Sequence, residues 1–384
     1  MKKFQIVIVQ PVQSPYWTER LKILAQETDL ELTLLLEQGT FAHRPGWQPE
    51  SIRNIKINIL RSAVLTSTSN GDDLGYRIQG IRSIPWRLTI ALWKLRPDVV
   101  ILCNALQILF CLPARQLRNF KIGLIVEDTP HSTRNHRRLS SRIKRWSYKQ
   151  ADRWYAFSDD AKTFLENNGI VNDVERSSWS LDMKRFCPLV IPKSTTSETA
   201  NNKSRTRVVF VGSLIVNKGI SLLLEAWNCL SADIRQRTEL YIVGSGPLKN
   251  KLEAFIEKNN LKEVTLLGQV PYSNIPTLLK YANLLILPTL QDLFSLTIVE
   301  AMASGVPIIT TPFAGARELV NESNGWIVDP TVPNALKSIL EKALSGPVNL
   351  RQMGLAARKR VENMDNKIVM DKFAESLRQL ASTG

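Results

Sequence analysis

The feature that most constrains this chain is a set of short runs with no polar residue at all, such as Val99-Val100-Ile101-Leu102 and Leu284-Leu285-Ile286-Leu287. A strand with one wetted face alternates apolar and polar residues, whereas an unbroken apolar strand must be covered on both faces. Both-face burial implies parallel strands joined by crossover helices, and helix-length amphipathic runs do separate these segments. Strands are expected at 4–10, 30–36, 55–60, 97–102, 121–126 and 153–157, and again at 207–212, 238–244, 263–267, 284–288, 306–310 and 325–328. The fold class is therefore α/β, with two doubly wound parallel sheets. At 384 residues the chain exceeds what one core usually organises.

Between the two series lies a polar stretch containing Ser194-Thr195-Thr196-Ser197 and Ala200-Asn201-Asn202-Lys203-Ser204. Its composition is that of a linker. The expected organisation is a domain over 1–190, a linker over 191–206, a second domain over 207–365 and a C-terminal helix over 366–384. In that helix Ile368, Val369, Phe373, Leu377 and Leu380 recur at helical spacing. The spacing leaves open whether it crosses back to the first domain. Ligands of doubly wound sheets bind at the carboxyl ends of the strands, so two such domains are expected to face one another across a binding cleft.

Composition narrows the function classes. Apolar residues make up 44% and charged residues 22%, which is ordinary globular usage. No stretch reaches the roughly 18 uncharged apolar residues of a membrane span. The run Ile6–Val9 after Met1-Lys2-Lys3 is too short for a signal-peptide core. A cytoplasmic protein is expected. Four scattered cysteines without a CxxC pair read as free buried thiols rather than a disulfide or zinc framework.

The net charge is +15, and residues 1–190 hold 28 Lys and Arg against 18 Asp and Glu. The basic first half points to an anionic acceptor or to an anionic membrane at whose inner face the protein sits peripherally. Residues 134–149 carry Arg134, Arg137, Arg138, Arg142, Lys144, Arg145 and Lys149 with no acid, and Leu139, Ile143 and Trp146 form a stripe. Such a helix either lies on a membrane or packs its stripe on the sheet. No nucleic-acid recognition motif accompanies the charge.

Two loops have the character of anion sites. Val208-Val209-Phe210-Val211-Gly212 is followed by Ser213 to Lys218-Gly219 and a helical run. Backbone N–H groups, the positive end of a helix dipole and the Lys218 ammonium would converge there. Turn geometry alone accounts for Gly and Lys in many such loops, and the GxxxxGK[ST] pattern is absent. The second loop follows Tyr241-Ile242-Val243, where Gly244 and Gly246 allow close backbone approach and Pro247 suits a first helical turn.

A third segment, 287–309, places Asp292 in a loop and Glu300 in a helix that starts near Ser295 and stops at Gly305. The amides of Phe294, Ser295 and Leu296 could take a phosphate, with Asp292 and Glu300 accepting from hydroxyls on either side. A nucleotide sugar has that order of groups. The plain alternative is a capping Asp292 and a solvated Glu300.

This segment resembles the signature of glycosyltransferase family 4, the group 1 glycosyltransferases of GT-B fold, whose motif is Glu-x7-Glu followed by Ala, small residues, Gly and Pro. The surroundings agree in order: Val211-Gly212 with Lys218-Gly219, Val243-Gly244-Ser245-Gly246-Pro247, Leu267-Gly268-Gln269-Val270, Ile275-Pro276, Ala314-Gly315 with Glu318-Leu319-Val320, and Asn324-Gly325. The resemblance spans about 120 residues. It implies a GT-B architecture of two Rossmann-like domains and retaining, metal-independent transfer from a nucleoside-diphosphate sugar to an acceptor hydroxyl. The setting implied is cell-surface polysaccharide or glycolipid synthesis, with a glycan or lipid-linked acceptor and no cofactor beyond the donor.

Carried onto this chain, the resemblance gives Glu300 to the ribose and Asp292 to the transferred sugar. It gives Lys218 and the amides of Phe294, Ser295 and Leu296 to the diphosphate. The Gly212-Ser213 and Gly244-to-Gly246 loops border the donor, and the Gly268–Pro271 loop, with Val270, borders the base.

Two positions depart from the pattern: Asp292 stands where the family usually has Glu, and Ser213 where it often has Arg. The first half agrees more loosely, through Arg96-Pro97-Asp98, Ala151-Asp152 with Ser158, and Asp182 with Phe186 and Pro188. Family members often place a polar active-site residue after the strand at 121–126. Glu127 and His131 stand there, as acceptor- or sugar-orienting groups or as plain loop residues. A nucleotide-sugar epimerase of the same fold and a non-catalytic nucleotide-sugar-binding partner of a transferase remain alternatives.

Overall fold

A computed structural model describes residues 3–40, 48–65, 82–130, 138–187, 205–345 and 348–383. The chain divides into two compact units. One takes the residues up to 65 together with 82–181 and 364–383, and the other takes 182–363. The expected linker lies almost wholly outside the described residues.

The first unit contains β1 (Phe4–Gln10), β2 (Leu30–Leu36), β3 (Ile55–Ile59), β4 (Ala63–Leu65), β5 (Arg82–Ile84), β6 (Val99–Leu102), β7 (Lys121–Val126), β8 (Arg153–Ala156) and β9 (Val174–Arg176). Seven of them form a sheet in the order β3-β2-β1-β6-β7-β8-β9, and β4 and β5 form a separate antiparallel pair. All neighbours in the large sheet run parallel. The order reverses between β1 and β6, where Ile6 sits opposite Val99. Two helices of this unit start where the sequence supplies a cap. Ser14 accepts from the Trp17 amide ahead of Pro15–Leu24, and Asn104 with Gln107 makes a reciprocal capping box ahead of Ala105–Leu117. The core joins Val7, Val100 and Ile122 of the sheet to Leu88, Ile108 and Ala114 of the helices above it.

The second unit contains β10 (Thr206–Val211), β11 (Thr238–Val243), β12 (Val264–Gly268), β13 (Leu284–Ile286), β14 (Ile308–Thr310) and β15 (Gly325–Ile327). Their order is β12-β11-β10-β13-β14-β15, all parallel, and it reverses between β10 and β13. All twelve strands expected from apolar runs are present. The three not expected, β4, β5 and β9, have three residues each, too few to show a period. β9 is an edge strand, and none of its three residues is fully buried.

The C-terminal helix Asn366–Ser382 packs within the first unit. Phe373 meets Tyr155 edge to face at 5.0 Å, Arg153 donates to the Ser376 carbonyl at 3.1 Å, and Arg378 Nε donates to Asp29 at 2.7 Å. The points where the chain leaves the first unit and re-enters it are tied together. The Leu181 amide donates to the Met364 carbonyl and the Asn366 amide donates back to the Leu181 carbonyl, at 3.1 and 2.9 Å.

The expectation of four buried thiols is corrected. Cys111 is buried and Cys103 half-buried, but Cys187 and Cys229 are exposed. Cys229 is the C-cap of the helix Ile220–Asn228, whose buried face is carried by Leu223, Leu224 and Trp227 instead. Among the described residues no helix is long and apolar enough to cross a membrane.

Phe373 is fully enclosed while its helix neighbour Ile368 is 39% exposed. Phe373→Ala should therefore lower the unfolding free energy of the chain by about 3–5 kcal/mol through the cavity it leaves. Ile368→Ala should change it by less than about 0.5 kcal/mol. Urea unfolding followed by tryptophan emission reads both.

Candidate functional site

In the second unit, the loops that leave the carboxyl ends of β10 and β13 are held to each other by backbone. The Asn217 carbonyl accepts from the Leu290 amide at 2.7 Å and from the Thr289 hydroxyl at 2.8 Å. Gly219 follows the 3-10 turn Val216–Lys218 in the left-handed region at φ 68°, and a Cβ there would strike the Pro288 carbonyl. Only glycine lets the chain pass and open the helix Ile220–Asn228. The residue between Asn217 and Gly219 is Lys218, so both constraints aim one side chain.

That side chain meets Asp292. Lys218 Nζ and the Ser295 hydroxyl both donate to the same Asp292 oxygen. Asp292 is itself placed by its backbone, whose amide donates to the Phe313 carbonyl at 3.2 Å and whose carbonyl accepts from the Gly315 amide at 3.1 Å. Ser295 is the N-cap position of the helix Leu296–Ala303, yet its hydroxyl serves Asp292 and makes no cap bond. The positive end of the helix and the Lys218 ammonium therefore stand together beside one carboxylate.

The neighbouring loops complete the rim. The Leu214 amide donates to the Ser245 carbonyl at 2.9 Å and the Gly244 amide to the Gly268 carbonyl at 2.8 Å. Gly244 has φ 142°, and a Cβ there would strike the Gly212 carbonyl. Gly212, Ser213, Gly244 and Gly246 are thus brought side by side, with the Ser213 side chain exposed. Val270 lies in the next loop and borders a separate cavity of about 580 Å³, lined also by Arg207, Tyr241 and Tyr281. Lys218, Asp292 and Glu300 do not line it.

Glu300 belongs to a different set of contacts. It lies in the Leu296–Ala303 helix with only 3% of its surface exposed, and its Oε1 has no partner. Burial raises its carboxyl to about 7, opposed by a hydrogen bond with the Tyr272 side chain and by the charge of Arg185. Arg185 lies 5.2 Å from the Tyr272 ring centroid. The solvated Glu300 of the plain reading is not what forms: the carboxyl is enclosed, with one open acceptor.

In the first unit, Glu127 follows β7 and its carboxyl is raised to about 7 by burial, opposed by the Arg20 charge. Arg20 is completely buried among Trp17, Phe157 and Trp179, nearest Trp179 at 4.5 Å. Its Nε and Nη1 have no hydrogen-bond partner, and burial lowers it to about 9. Gln10, at the end of β1, is also buried with both side-chain polar atoms unpartnered. His131 lies outside the described residues.

Sequence reasoning missed Arg20, Tyr272, Arg185 and Asn217. Only Arg20 left a signal: it shares the helical spacing of Trp17, Leu21 and Leu24, a charge set in an apolar stripe.

Two parallel-sheet α/β units, of seven and six strands, are the parts of a GT-B fold. Superposition on sucrose-phosphate synthase from Thermosynechococcus elongatus gives a TM-score of 0.78 over 100% of both chains at 18% identity. For Anabaena HepE in complex with UDP-glucose the score is 0.71 over 98% of this chain and 100% of that one, at 16% identity. These identities speak to the fold alone.

Residues 193–360, which carry every contact of the second-unit site except Arg185, match the family described as Glycosyl transferases group 1. One relative is the GDP-mannose-dependent monoacylated alpha-(1-6)-phosphatidylinositol monomannoside mannosyltransferase of Corynebacterium glutamicum. It is 31% identical over 47% of this chain and 50% of its own length. The chain spans half or less of the length of the curated relatives it matches first.

A carboxyl held neutral by burial makes stability depend on pH with a definite sign. Below about 4.5 both folded and unfolded chains carry the Glu300 proton. As pH rises toward 7 the unfolded chain ionises first, so stability falls, and above 7 the loss is constant. Glu300→Gln lacks this ionisation. Its stability relative to the wild type should rise by roughly 3 kcal/mol between pH 4.5 and 7 and then stay level. Urea unfolding of both proteins across that range measures the difference, and a difference independent of pH contradicts the assignment.

Proposed function

We propose that the chain transfers a sugar from a nucleoside-diphosphate sugar to an acceptor hydroxyl, with retention of anomeric configuration and without a metal, in the synthesis of a surface polysaccharide or glycolipid. The observation that carries this is the meeting of Lys218, Asp292 and Ser295 at the N-terminal end of the Leu296–Ala303 helix. A diphosphate placed there draws Lys218 off Asp292 and takes the helix dipole as well. Negative charge on the leaving group is then neutralised by groups already in position. Asp292, released from Lys218, accepts from a hydroxyl of the transferred sugar. Glu300 Oε1 accepts from the ribose, because a buried oxygen without a partner gains most from a hydroxyl.

In the transfer, the anomeric carbon–oxygen bond to the diphosphate breaks and a bond to the acceptor oxygen forms on the same face. The acceptor proton passes to the leaving phosphate oxygen. Glu127, with a carboxyl near 7, orients the acceptor hydroxyl or the donor sugar, and His131 is proposed for the same role. The solved relative that holds UDP-glucose supports a nucleotide-sugar donor. The relative named for a phosphatidylinositol mannoside supports a lipid-linked acceptor, and with such an acceptor the enzyme would work in the cytoplasm at the membrane face.

The test is incubation of the pure protein with labelled UDP-, GDP- and ADP-sugars. Slow release of free nucleotide is expected from one of them. An isomerised donor would mark an epimerase, and binding without turnover a non-catalytic partner. Glu300→Ala should weaken nucleotide binding by roughly 10- to 100-fold, while Asp292→Ala should mainly lower turnover, by roughly 100-fold. Unchanged kinetics in both variants would remove the site.

A further inference from the structure

Three helices of the first unit lie side by side over one face of its sheet: Leu88–Leu95, Ala105–Leu117 and Arg138–Tyr148. Their inner sides fill the core, through Leu88 and Leu92 of the first, Ile108 and Ala114 of the second and Tyr148 of the third. Their outer sides are unusual. Trp86, Trp93 and Trp146 are 45–49% exposed, and Ile90, Leu117 and Ile143 are exposed as well. Ile90 and Trp93 share one edge of the first helix, at i and i+3, and Trp86 stands exposed in the turn just before it. The stripe Ile143–Trp146 of the third helix does not pack on the sheet either. The reading in which it does is therefore corrected for these two residues, the core side being taken by Ser147 and Tyr148.

Charge surrounds the crests of the first and third helices. Arg87, Lys94, Arg142, Arg145 and Lys149 are exposed, and none of the three helices carries an Asp or Glu. Two cations are set directly on the indoles: the Arg87 guanidinium lies 4.6 Å from the Trp86 ring centroid and that of Arg118 lies 5.5 Å from Trp93. An exposed apolar patch rimmed by one sign of charge marks an interaction surface.

We propose that this three-helix face docks the enzyme on an anionic phospholipid bilayer, with Trp86, Trp93 and Trp146 in the headgroup layer and the arginines and lysines on lipid phosphates. Indole is the side chain most suited to the boundary between headgroup and acyl chain. The helices themselves bring only basic residues to this face, and the acids that meet them, Asp128 and Asp152, are each ion-paired, with Lys144 and Arg115, so the exposed rim is complementary to a surface of negative charge. A protein partner would be expected to meet both signs of charge. This inference names the surface behind the peripheral location in the reading above, and its test is separable from that of the chemistry.

The full chain is sedimented with vesicles of phosphatidylcholine alone and of phosphatidylcholine mixed with phosphatidylglycerol. Binding is expected only to the mixed vesicles and should weaken as salt rises. The double substitution Trp86→Ala and Trp93→Ala should lower the partition coefficient on the order of tenfold. Arg142→Glu with Arg145→Glu should lower it further at low salt and little at high salt. Both variants should keep the wild-type thermal midpoint and nucleotide affinity, and Glu300→Ala should keep vesicle binding. Failure of the wild-type chain to bind the mixed vesicles, or equal binding by the tryptophan variant, would overturn the proposal. So would a vesicle-free dimer in sedimentation velocity that the tryptophan substitutions dissociate, since the face would then join two copies of the chain.

Discussion

The carbonyl of Asn217 is the point on which the second-unit site depends. It accepts hydrogen bonds from the start of the loop after β13 while sitting one residue before Lys218. A sheet fixes the ends of its strands but leaves the loops beyond them free to choose. Here one carbonyl, backed by the close approach of Gly219 to Pro288, removes that choice from two loops at once. Lys218 and Asp292 are 74 residues apart in the chain, and their meeting follows from backbone geometry rather than from their own attraction.

Around this point the two units share a chemical habit. Glu37, Glu127 and Glu300 follow or adjoin the ends of strands or the helices behind them, and burial raises all three carboxyls to about 7. Glu37 is answered by the Gln107 amide at 2.7 Å. Glu300 has one answered and one open oxygen. Glu127 has the buried Arg20 charge near it, and two of the Arg20 nitrogens are open. Groups enclosed without partners lower stability by about 1–3 kcal/mol each. Several such groups in one fold are candidates for contacts with a ligand, which would supply the missing partners.

The fold was legible where burial is two-sided. Runs such as Val99–Leu102 and Leu284–Leu287 admit no solvent face, so their strands and their parallel pairing could be read directly. β9 and the β4–β5 pair were not legible, because three residues at an edge carry no period. In the site, Gly212, Lys218, Asp292 and Glu300 could be proposed from local pattern. The contact of Asp292 with Lys218 and of Glu300 with Tyr272 could not, since each joins segments that only the folded sheet brings together. Arg20 was visible as a charge out of place in an apolar stripe, but its aromatic enclosure by Phe157 and Trp179 again required the fold.

The hydrogen bonds between Leu181, Met364 and Asn366 have a consequence for how the chain is made. The second unit is an insertion within the first, since residues 364–383 return to pack beside β8 through Phe373 and Tyr155. During synthesis the sheet of the first unit emerges early yet stays unfinished until the helix Asn366–Ser382 has been made. The inserted unit, made later, has all its parts first. The order of completion is thus the reverse of the order of translation, and the early sheet must wait with the apolar surface that Phe373 and Leu377 will cover still open to water.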